Sequence, residues 1–200
     1  MVPQLPDLGV HAVVVSLPDL DADELLPACE VLCQEGFTAW GVRMVQLPQL
    51  AALLRVFGRR ARIGVQDATT PDDATAAARA GAAFVASPYL LPELVPAAQG
   101  LPVILGGMTP SELHAGMVAG AAAVQLVPSE AFGTSYARTL PALVEHPLIA
   151  SGRLERYQAD LWLESGGIAV WPRQLVEPDA VLGDSLDELR VTLQQWRLGD

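Results

Sequence analysis

The sequence predicts an α/β barrel in which eight parallel strands alternate with helices, and three observations support this prediction. Eight short apolar runs are spread over the chain, each followed by a segment with helical patterning. Four of the runs follow a glycine, and these glycines recur at intervals of 45, 39 and 46 residues. The runs are continuously apolar, as in parallel strands that are buried on both faces. These features favour a (βα)8 TIM barrel formed as a single domain by residues 1–200; a doubly wound open sheet is the alternative, because periodicity cannot prove closure.

The segments that contain the predicted strands follow one another along the whole chain. Four of them begin where a preceding helix ends in a glycine, at Gly36, Gly81, Gly120 and Gly166. Glycine adopts the left-handed conformation of a helix C-cap without strain, so each glycine marks the end of a helix. The eight segments are 11–17, 34–42, 61–66, 79–88, 101–107, 118–128, 146–152 and 164–172.

Two helix starts carry clear signals. Thr70 is followed by Pro71 and two aspartates, which supplies an N-cap, a proline at the first helical position and acids near the positive helix end. Thr109 precedes Glu112 by three residues, which is the spacing of a capping box. The last helix is predicted from near Asp184 to Arg197.

The charge composition excludes several classes of function. The chain has 12 basic and 23 acidic residues and a formal net charge of −11, so we expect neither a nucleic acid nor an anionic membrane as a partner. All the basic residues are arginine, and the sequence contains no lysine. Because a Schiff base needs a primary amine, the backbone amine of Met1 is the only group in the sequence that could form one.

The sequence carries no sign of export or of membrane insertion. The N-terminal segment has neither a basic region nor a long apolar run, unlike a signal peptide. The longest uncharged stretch lies between Glu93 and Glu112 and contains three prolines, so it cannot form one spanning helix. We therefore predict a cytoplasmic protein.

The cysteines and histidines are predicted to be structural. Cys29 and Cys33 lie four residues apart in a helical pattern, which favours two small core residues on one helix face over metal or redox use. His11 and His146 open strands and so lie at the N-terminal rim of the barrel, and His114 lies inside a helix. We expect these three side chains to be packing or surface residues.

In a barrel of this kind, chemistry takes place at the C-terminal ends of the strands. The residues that lie where a predicted strand ends therefore become candidates. These candidates are Gly41, Arg43, Gln66, Asp67, Ser87, Tyr89, Gly106, Thr109, Gln125, Glu130, Ser151, Gly152, Arg153, Trp171, Pro172 and Arg173.

Three segments resemble the 2-keto-3-deoxy-6-phosphogluconate (KDPG) and 4-hydroxy-2-oxoglutarate (KHG) aldolase family. They are FVASPYL at 84–90, VILGGMTPSELHAGMVAGA at 103–121 and VQLVPSE at 124–130, and the resemblance extends over roughly residues 10–176. It implies a TIM barrel, a class I aldolase that forms a Schiff base on a lysine, and a homo-oligomer, commonly a trimer.

The departures from the family pattern fall on the chemistry that the resemblance implies. Gln125 stands at the position of the Schiff-base lysine, and Gly41 at the position of the general-base glutamate. The substrate-gripping arginine falls at Val45, and Arg43 lies two residues earlier on the same side of the strand. The family's glycine-rich phosphate site keeps Ser151 and Gly152 after the seventh strand. Trp171, Pro172 and Arg173 replace its glycines after the eighth.

Two functions follow as hypotheses. The first is a non-catalytic or altered barrel that binds a small anion, a keto acid or a phosphate, or serves as an assembly partner. The alternative is a lyase that acts on a small 2-keto acid without lysine and uses Arg43, Asp67, Gln125 and Arg173. Asp67 and Glu130 are the candidate substitutes for the family's catalytic pair, and a metal-assisted form would use them with Glu155 as a third carboxylate. No cofactor and no metal site is predicted. The expected ligand contacts are Arg43, Ser87, Thr109, Gln125, Ser151, Gly152 and Arg173.

Several of these residues have a structural interpretation beside the functional one. Arg43 is either an anion contact or half of a buried ion pair with Asp67. Gln125 either forms an internal hydrogen bond or orients a ligand carbonyl, and Trp171 is expected to fill the former phosphate site. Trp40 and Tyr89 are expected to pack rather than to stack on a ligand. The acids Asp19, Asp21, Asp23 and Glu24 are expected to form a solvated helix start.

Overall fold

A computed structural model of the chain describes residues 3–183 and 185–198. Eight strands form one parallel sheet in chain order, each paired with the next. A bridge between Val13 and Val170 joins the first strand to the last, so the sheet closes on itself. The (βα)8 barrel is confirmed, and the open-sheet alternative is wrong. The strands are β1 Val14–Ser16, β2 Ala39–Arg43, β3 Arg62–Gln66, β4 Val85–Ser87, β5 Val103–Gly107, β6 Ala123–Leu126, β7 Leu148–Gly152 and β8 Ala169–Pro172.

Helices alternate with these strands and cover the outside of the barrel. They are α1 Ala22–Gln34, α2 Leu47–Phe57, α3 Pro71–Arg79, α4 Leu94–Ala97, α5 Pro110–Val118, α6 Thr134–Val144, α7 Arg156–Glu164, α8 Pro178–Leu182 and α9 Asp187–Gln195. Thr70 and Thr109 accept hydrogen bonds from the backbone N–H groups of Asp73 and Glu112, so both predicted caps are confirmed.

The C-terminal region departs from its prediction. Two helices follow β8, where the sequence indicated one. Pro178 begins α8, and Gly183 has an extended backbone that ends it, so α9 starts anew at Asp187. Asp184, the expected start of the last helix, lies outside the described residues, as does Met1.

Two apolar cores hold the barrel together. The larger one lies between the strands and the surrounding helices. The smaller one fills the interior of the barrel, where the rings of Phe84 and Trp171 meet edge to face at 5.9 Å. Gly64 and Gly41 face these rings, and a Cβ at either position would meet ring atoms. The interior is therefore filled in part by two aromatic side chains, each facing a glycine.

The cysteines and histidines occupy structural positions. Cys29 and Cys33 lie on one side of α1, the first buried and the second partly buried, and burial raises the pKa of both thiols. The ring of His11 contacts the carbonyl of Glu35, and that of His146 contacts the carbonyl of Ala121. Among the described residues, no helix is both long and apolar enough to cross a membrane.

Candidate functional site

A cavity of about 440 Å³ opens at the C-terminal end of the barrel, above the filled interior. Residues that follow β1, β2, β3, β7 and β8 form its wall, so loops from distant parts of the chain meet here. Its charged lining consists of three arginines and three carboxylates, Arg43, Arg153, Arg173, Asp19, Asp67 and Glu177. The apolar part of the lining comes from Leu17, Pro18, Val176 and Pro178.

Trp171 lies beneath the cavity in the barrel interior. Its side chain is fully buried, and its Nε1 donates to the hydroxyl of Ser16 at 2.9 Å. That hydroxyl in turn donates to Oε1 of Gln66 at 2.9 Å. A Cβ on Gly41 would lie 2.5 Å from Cζ2 of Trp171. The indole thus fills the barrel interior beside Gly41, below the mouth. That it occupies the family's phosphate site stays a prediction.

Arg173 is held in place by four neighbours. Its Nε donates to the hydroxyl of Ser151 at 3.0 Å, and its Nη1 donates to Oε1 of Gln66 at 2.7 Å and to Asp67 at 3.3 Å. Its guanidinium lies 4.4 Å from the centre of the Trp171 ring. The side chain is 21% exposed, and burial lowers its pKa while Asp67 opposes that shift. Arg173 therefore brings a fixed guanidinium group, paired with Asp67, to the base of the cavity.

Asp67 joins two arginines at the cavity wall. It follows β3 with a left-handed φ of +63°, which aspartate tolerates, and its carboxylate lies 3.3 Å from Arg173 and 3.5 Å from Arg43. The predicted pairing of Arg43 with Asp67 is therefore present. The prediction that this pair is buried is wrong, because Arg43 stands at the open rim with 51% of its side chain exposed.

Several lining residues were not predicted as site residues. Asp19, expected to be part of a solvated helix start, lies 3.9 Å from Arg43 in the cavity wall. Gln174 and Glu177 follow β8 and were not among the candidates. The sequence could have indicated both residues, because every loop that follows a strand reaches this face of the barrel. The prediction, however, included only residues at the strand ends.

Three polar groups of the lining lack an ion-pair or hydrogen-bond partner within the described part of the chain. Arg153 and Glu177 have no ion-pair partner there, and both are exposed to the cavity side. The side-chain nitrogen of Gln174 donates to the carbonyl of Leu154 at 2.8 Å, whereas its Oε1 is buried without a partner.

Other predicted site residues lie outside this cavity. Gln125 is fully buried; its Nε2 donates to the carbonyl of Ser87 at 2.7 Å, and its Oε1 has no partner among the described residues. The Ser87 hydroxyl accepts the backbone N–H of Tyr89, whose own side chain is 59% exposed and does not pack. Trp40 is buried, as expected, and donates to the carbonyl of Phe37.

The structure places the two carboxylates that were offered as substitutes for the family's catalytic pair in different surroundings. Asp67 lines the cavity, whereas the carboxylate of Glu130 lies against the backbone of Gly152, where a Cβ would be. Thr109 is also away from the cavity, and its hydroxyl is engaged with Glu112 in capping α5. Across residues 3–183 and 185–198, no group of three or more His, Cys, Asp or Glu side chains could hold a metal.

The arrangement defines what the mouth can do chemically. Arginine guanidinium groups bind carboxylates and phosphates through paired hydrogen bonds, and three such groups line the cavity. The sequence supplies no lysine amine for covalent attack on a carbonyl carbon. The geometry thus suits noncovalent recognition of an acid.

Comparison with known proteins agrees with the fold. The family model described as KDPG and KHG aldolase matches residues 7–189. The 2-dehydro-3-deoxy-6-phosphogalactonate aldolase of Escherichia coli (strain K12) is 27% identical over 161 residues, which is 76% of this chain and 78% of the relative.

Solved structures show the same architecture. The native KDPGal structure superposes with a TM-score of 0.82 at 24% identity, over 92% of this chain and 91% of the other. The KDPG aldolase from Legionella pneumophila, with pyruvate captured as a covalent carbinolamine intermediate, has a TM-score of 0.79 at 21% identity, over 94% and 93% of the two chains. With a family match that spans nearly the whole barrel, this chain belongs to the KDPG and KHG aldolase family.

Proposed function

We propose that this family member binds a small organic acid or phosphate at the barrel mouth without forming a covalent bond to it. One observation carries the proposal: Gln125 stands at the position that the resemblance assigns to the condensing lysine, and the sequence contains no lysine elsewhere. An amide nitrogen is not nucleophilic enough to condense with a ketone, so the carbinolamine captured in the Legionella relative has no counterpart side chain here.

The surroundings of Gly41 support the same conclusion. This position corresponds, by resemblance, to the general-base glutamate, and it offers no side chain at all. The Trp171 ring occupies the adjacent space, so a neighbouring carboxylate could not reach that point without displacing a buried indole. Proton transfer from the position of Gly41 itself therefore lacks both a base and room for one.

The mouth retains the means to bind an anion. Arg173 is fixed by Ser151, Gln66 and Asp67, so its guanidinium loses little further conformational entropy when a ligand binds. Arg43 and Arg153 are more exposed and line the same cavity. Arg173 also compensates for Pro172, which has no N–H group to offer a phosphate.

Borohydride trapping with pyruvate tests the absence of covalent chemistry. We expect mass spectrometry to find no reduced adduct on any side chain, while a lysine-bearing family aldolase treated in parallel gains one. A side-chain adduct on this protein would overturn the proposal. So would aldol cleavage of a family sugar acid, measured with and without Mg²⁺.

Ligand binding is tested by thermal unfolding in the presence of inorganic phosphate and small carboxylic acids. A ligand that binds only the folded state raises the Tm. We expect at least one of these acids to raise it in the wild-type protein, and Arg153→Gln to reduce the effect. Arg138→Gln, which changes an exposed arginine on α6, is the matched control. The absence of any shift across the panel would contradict the proposal.

We also propose that the chain assembles as a homotrimer, as the family resemblance implies. The exposed side chains of Tyr89 and Met108 support an association surface, since they lie beside a second, mainly apolar cavity of about 300 Å³. Light scattering should give three times the chain mass of 21.2 kDa. A monomer at micromolar concentration would contradict this expectation.

A further inference from the structure

We infer that the ligand of the barrel mouth is a small zwitterion, an acid that carries an ammonium group in the manner of an amino acid, rather than a 2-keto acid. This inference rests on the proposed function and deepens it by naming the ligand class. It follows from a comparison of two sets of polar groups in the cavity. Some already have an ion-pair or hydrogen-bond partner within the protein, and others have none.

The positive charges of Arg173 and Arg43 are largely compensated inside the protein. Both guanidinium groups lie within 3.5 Å of the Asp67 carboxylate, and Arg43 also lies 3.9 Å from Asp19. These four groups form a row of alternating charge along the cavity wall. A ligand that met only this row would gain little net attraction.

Two charges of the lining remain. Arg153 has no ion-pair partner within the described residues, and neither has Glu177 at the start of α8. One of these groups is a cation and the other an anion. A ligand that neutralises both must itself carry one negative and one positive charge.

The remaining hydrogen-bond acceptors of the lining point to the same ligand. Oε1 of Gln174 is buried and unpartnered, because the amide nitrogen is already bound to the carbonyl of Leu154. Asp19 stands beyond hydrogen-bond distance from Arg43, so its oxygens can also accept. Leaving a buried acceptor unsatisfied is unfavourable, and a hydrogen-bond donor, from water or from the ligand, relieves it.

This excess of acceptors discriminates between ligand classes. A 2-keto acid offers only acceptors, since neither its carboxylate nor its ketone carries a proton to donate. Replacing the ketone by a hydroxyl supplies one donor, and replacing it by an ammonium group supplies three donors and a positive charge for Glu177 and Asp19. The cavity should therefore favour ammonium over hydroxyl, and hydroxyl over ketone.

Three ligands with the same carbon skeleton test this order. Glutamate, 2-hydroxyglutarate and 2-oxoglutarate differ only at C2, so their affinities for the full-length protein, measured by calorimetry at pH 7, isolate the contribution of that group. We expect glutamate to bind at least about tenfold more tightly than 2-oxoglutarate, which corresponds to one hydrogen bond to a charged group. The affinity of 2-hydroxyglutarate should lie between the two.

Three variants test which residues cause the preference for glutamate. Glu177→Gln should reduce the preference for glutamate severalfold while leaving the affinity for 2-oxoglutarate unchanged or improved. Arg153→Gln should weaken all three ligands. Glu188→Gln removes an exposed carboxylate from α9, outside the cavity lining, and should leave the order intact.

The possible results separate this inference from the proposed function. If 2-oxoglutarate binds most tightly, or if all three ligands bind equally, the inference of a zwitterionic ligand is wrong. The proposed noncovalent binding of an acid would still be supported. An unaltered preference in Glu177→Gln would overturn the role of that carboxylate and the inference with it. If none of the three ligands binds, the inference fails, and if inorganic phosphate does not bind either, the proposed function fails too.

Discussion

The indole of Trp171 lies in the space that a side chain at Gly41 would need. A Cβ built on Gly41 would be 2.5 Å from Cζ2 of the ring and 3.2 Å from Oε1 of Gln66. The two residues belong to β2 and β8, which are separated in the sheet only by β1. Because Gly41 on β2 has no side chain, the interior has room for the indole of Trp171 on β8. The two positions therefore form one packing unit.

This packing unit predicts non-additive stability changes. Gly41→Ala should lower the free energy of unfolding by about 1–3 kcal/mol through overpacking, and Trp171→Ala by about 3–5 kcal/mol through the cavity it leaves. The double variant should lose less than the sum of these effects, because the new methyl no longer meets the ring. Urea unfolding measures all three. Gly133→Ala, which meets nothing within 4 Å, is the control, and additive losses would contradict the prediction.

Ser16 links the apolar interior to the polar mouth. Its hydroxyl accepts from Nε1 of Trp171 and donates to Gln66. Ser16→Ala should lower the free energy of unfolding by about 1–3 kcal/mol, because it leaves the buried indole N–H without an acceptor. In a Trp171→Phe background the same change should cost less, since that N–H is gone. Ser135→Ala, at an exposed site on α6, should have little effect. An equal loss at Ser16 in both backgrounds would show that the indole contact is not responsible.

The two arginines that share Asp67 should differ in their contribution to stability. Arg173 is mostly buried and contacts Ser151, Gln66 and the Trp171 ring in addition to Asp67, whereas Arg43 is half exposed. We expect Arg173→Gln to lower the free energy of unfolding by about 1–3 kcal/mol, and Arg43→Gln by less than about 1 kcal/mol, because exposed ion pairs contribute little. Thermal unfolding of the two variants compares them directly. Equal losses in the two variants would mean that the additional contacts of Arg173 do not contribute to the free energy of unfolding.

The barrel was predictable from the sequence because its signals are local. Gly36, Gly81, Gly120 and Gly166 all adopt positive φ values at helix ends, as the repeated glycine pattern indicated. Continuous apolar runs specified strands covered on both faces. Closure was harder to foresee, since the bridge between Val13 and Val170 joins the two ends of the sheet and leaves no mark on either segment.

The candidate site was only partly predictable, for a physical reason. The strand-end rule found Arg43, Asp67 and Arg173, whose side chains do meet at the mouth. It could not distinguish them from Thr109 and Glu130, which also follow strands. Whether such a side chain faces the cavity depends on the path of each loop, and that path is set by packing between segments that lie far apart in sequence.

Glu35 fastens the C-terminal helix to the barrel. Its carboxylate is 4% exposed and accepts hydrogen bonds from Arg190 on α9 and, at 2.6 Å, from Arg197 just beyond it. Burial alone would raise the pKa of this carboxyl, but the two arginines outweigh burial and lower it. A carboxyl with a lowered pKa in the folded state stabilises that state above its unfolded-state pKa of about 4.3, and this stabilisation is lost as the pH falls through the folded-state pKa.

Glu35→Gln should therefore lower the free energy of unfolding by about 1–3 kcal/mol at pH 7, because two guanidinium groups lose a charged acceptor. Below about pH 4.3 the difference between variant and wild type should shrink, since protonation removes the same charge from the wild type. Urea unfolding between pH 3 and pH 7 measures both effects. Glu30→Gln, on α1 five residues before Glu35, disrupts an exposed pair with Arg60 and should give a smaller loss at pH 7. A constant difference between Glu35→Gln and wild type across this pH range would show that the charge of Glu35 does not hold the C-terminal helix.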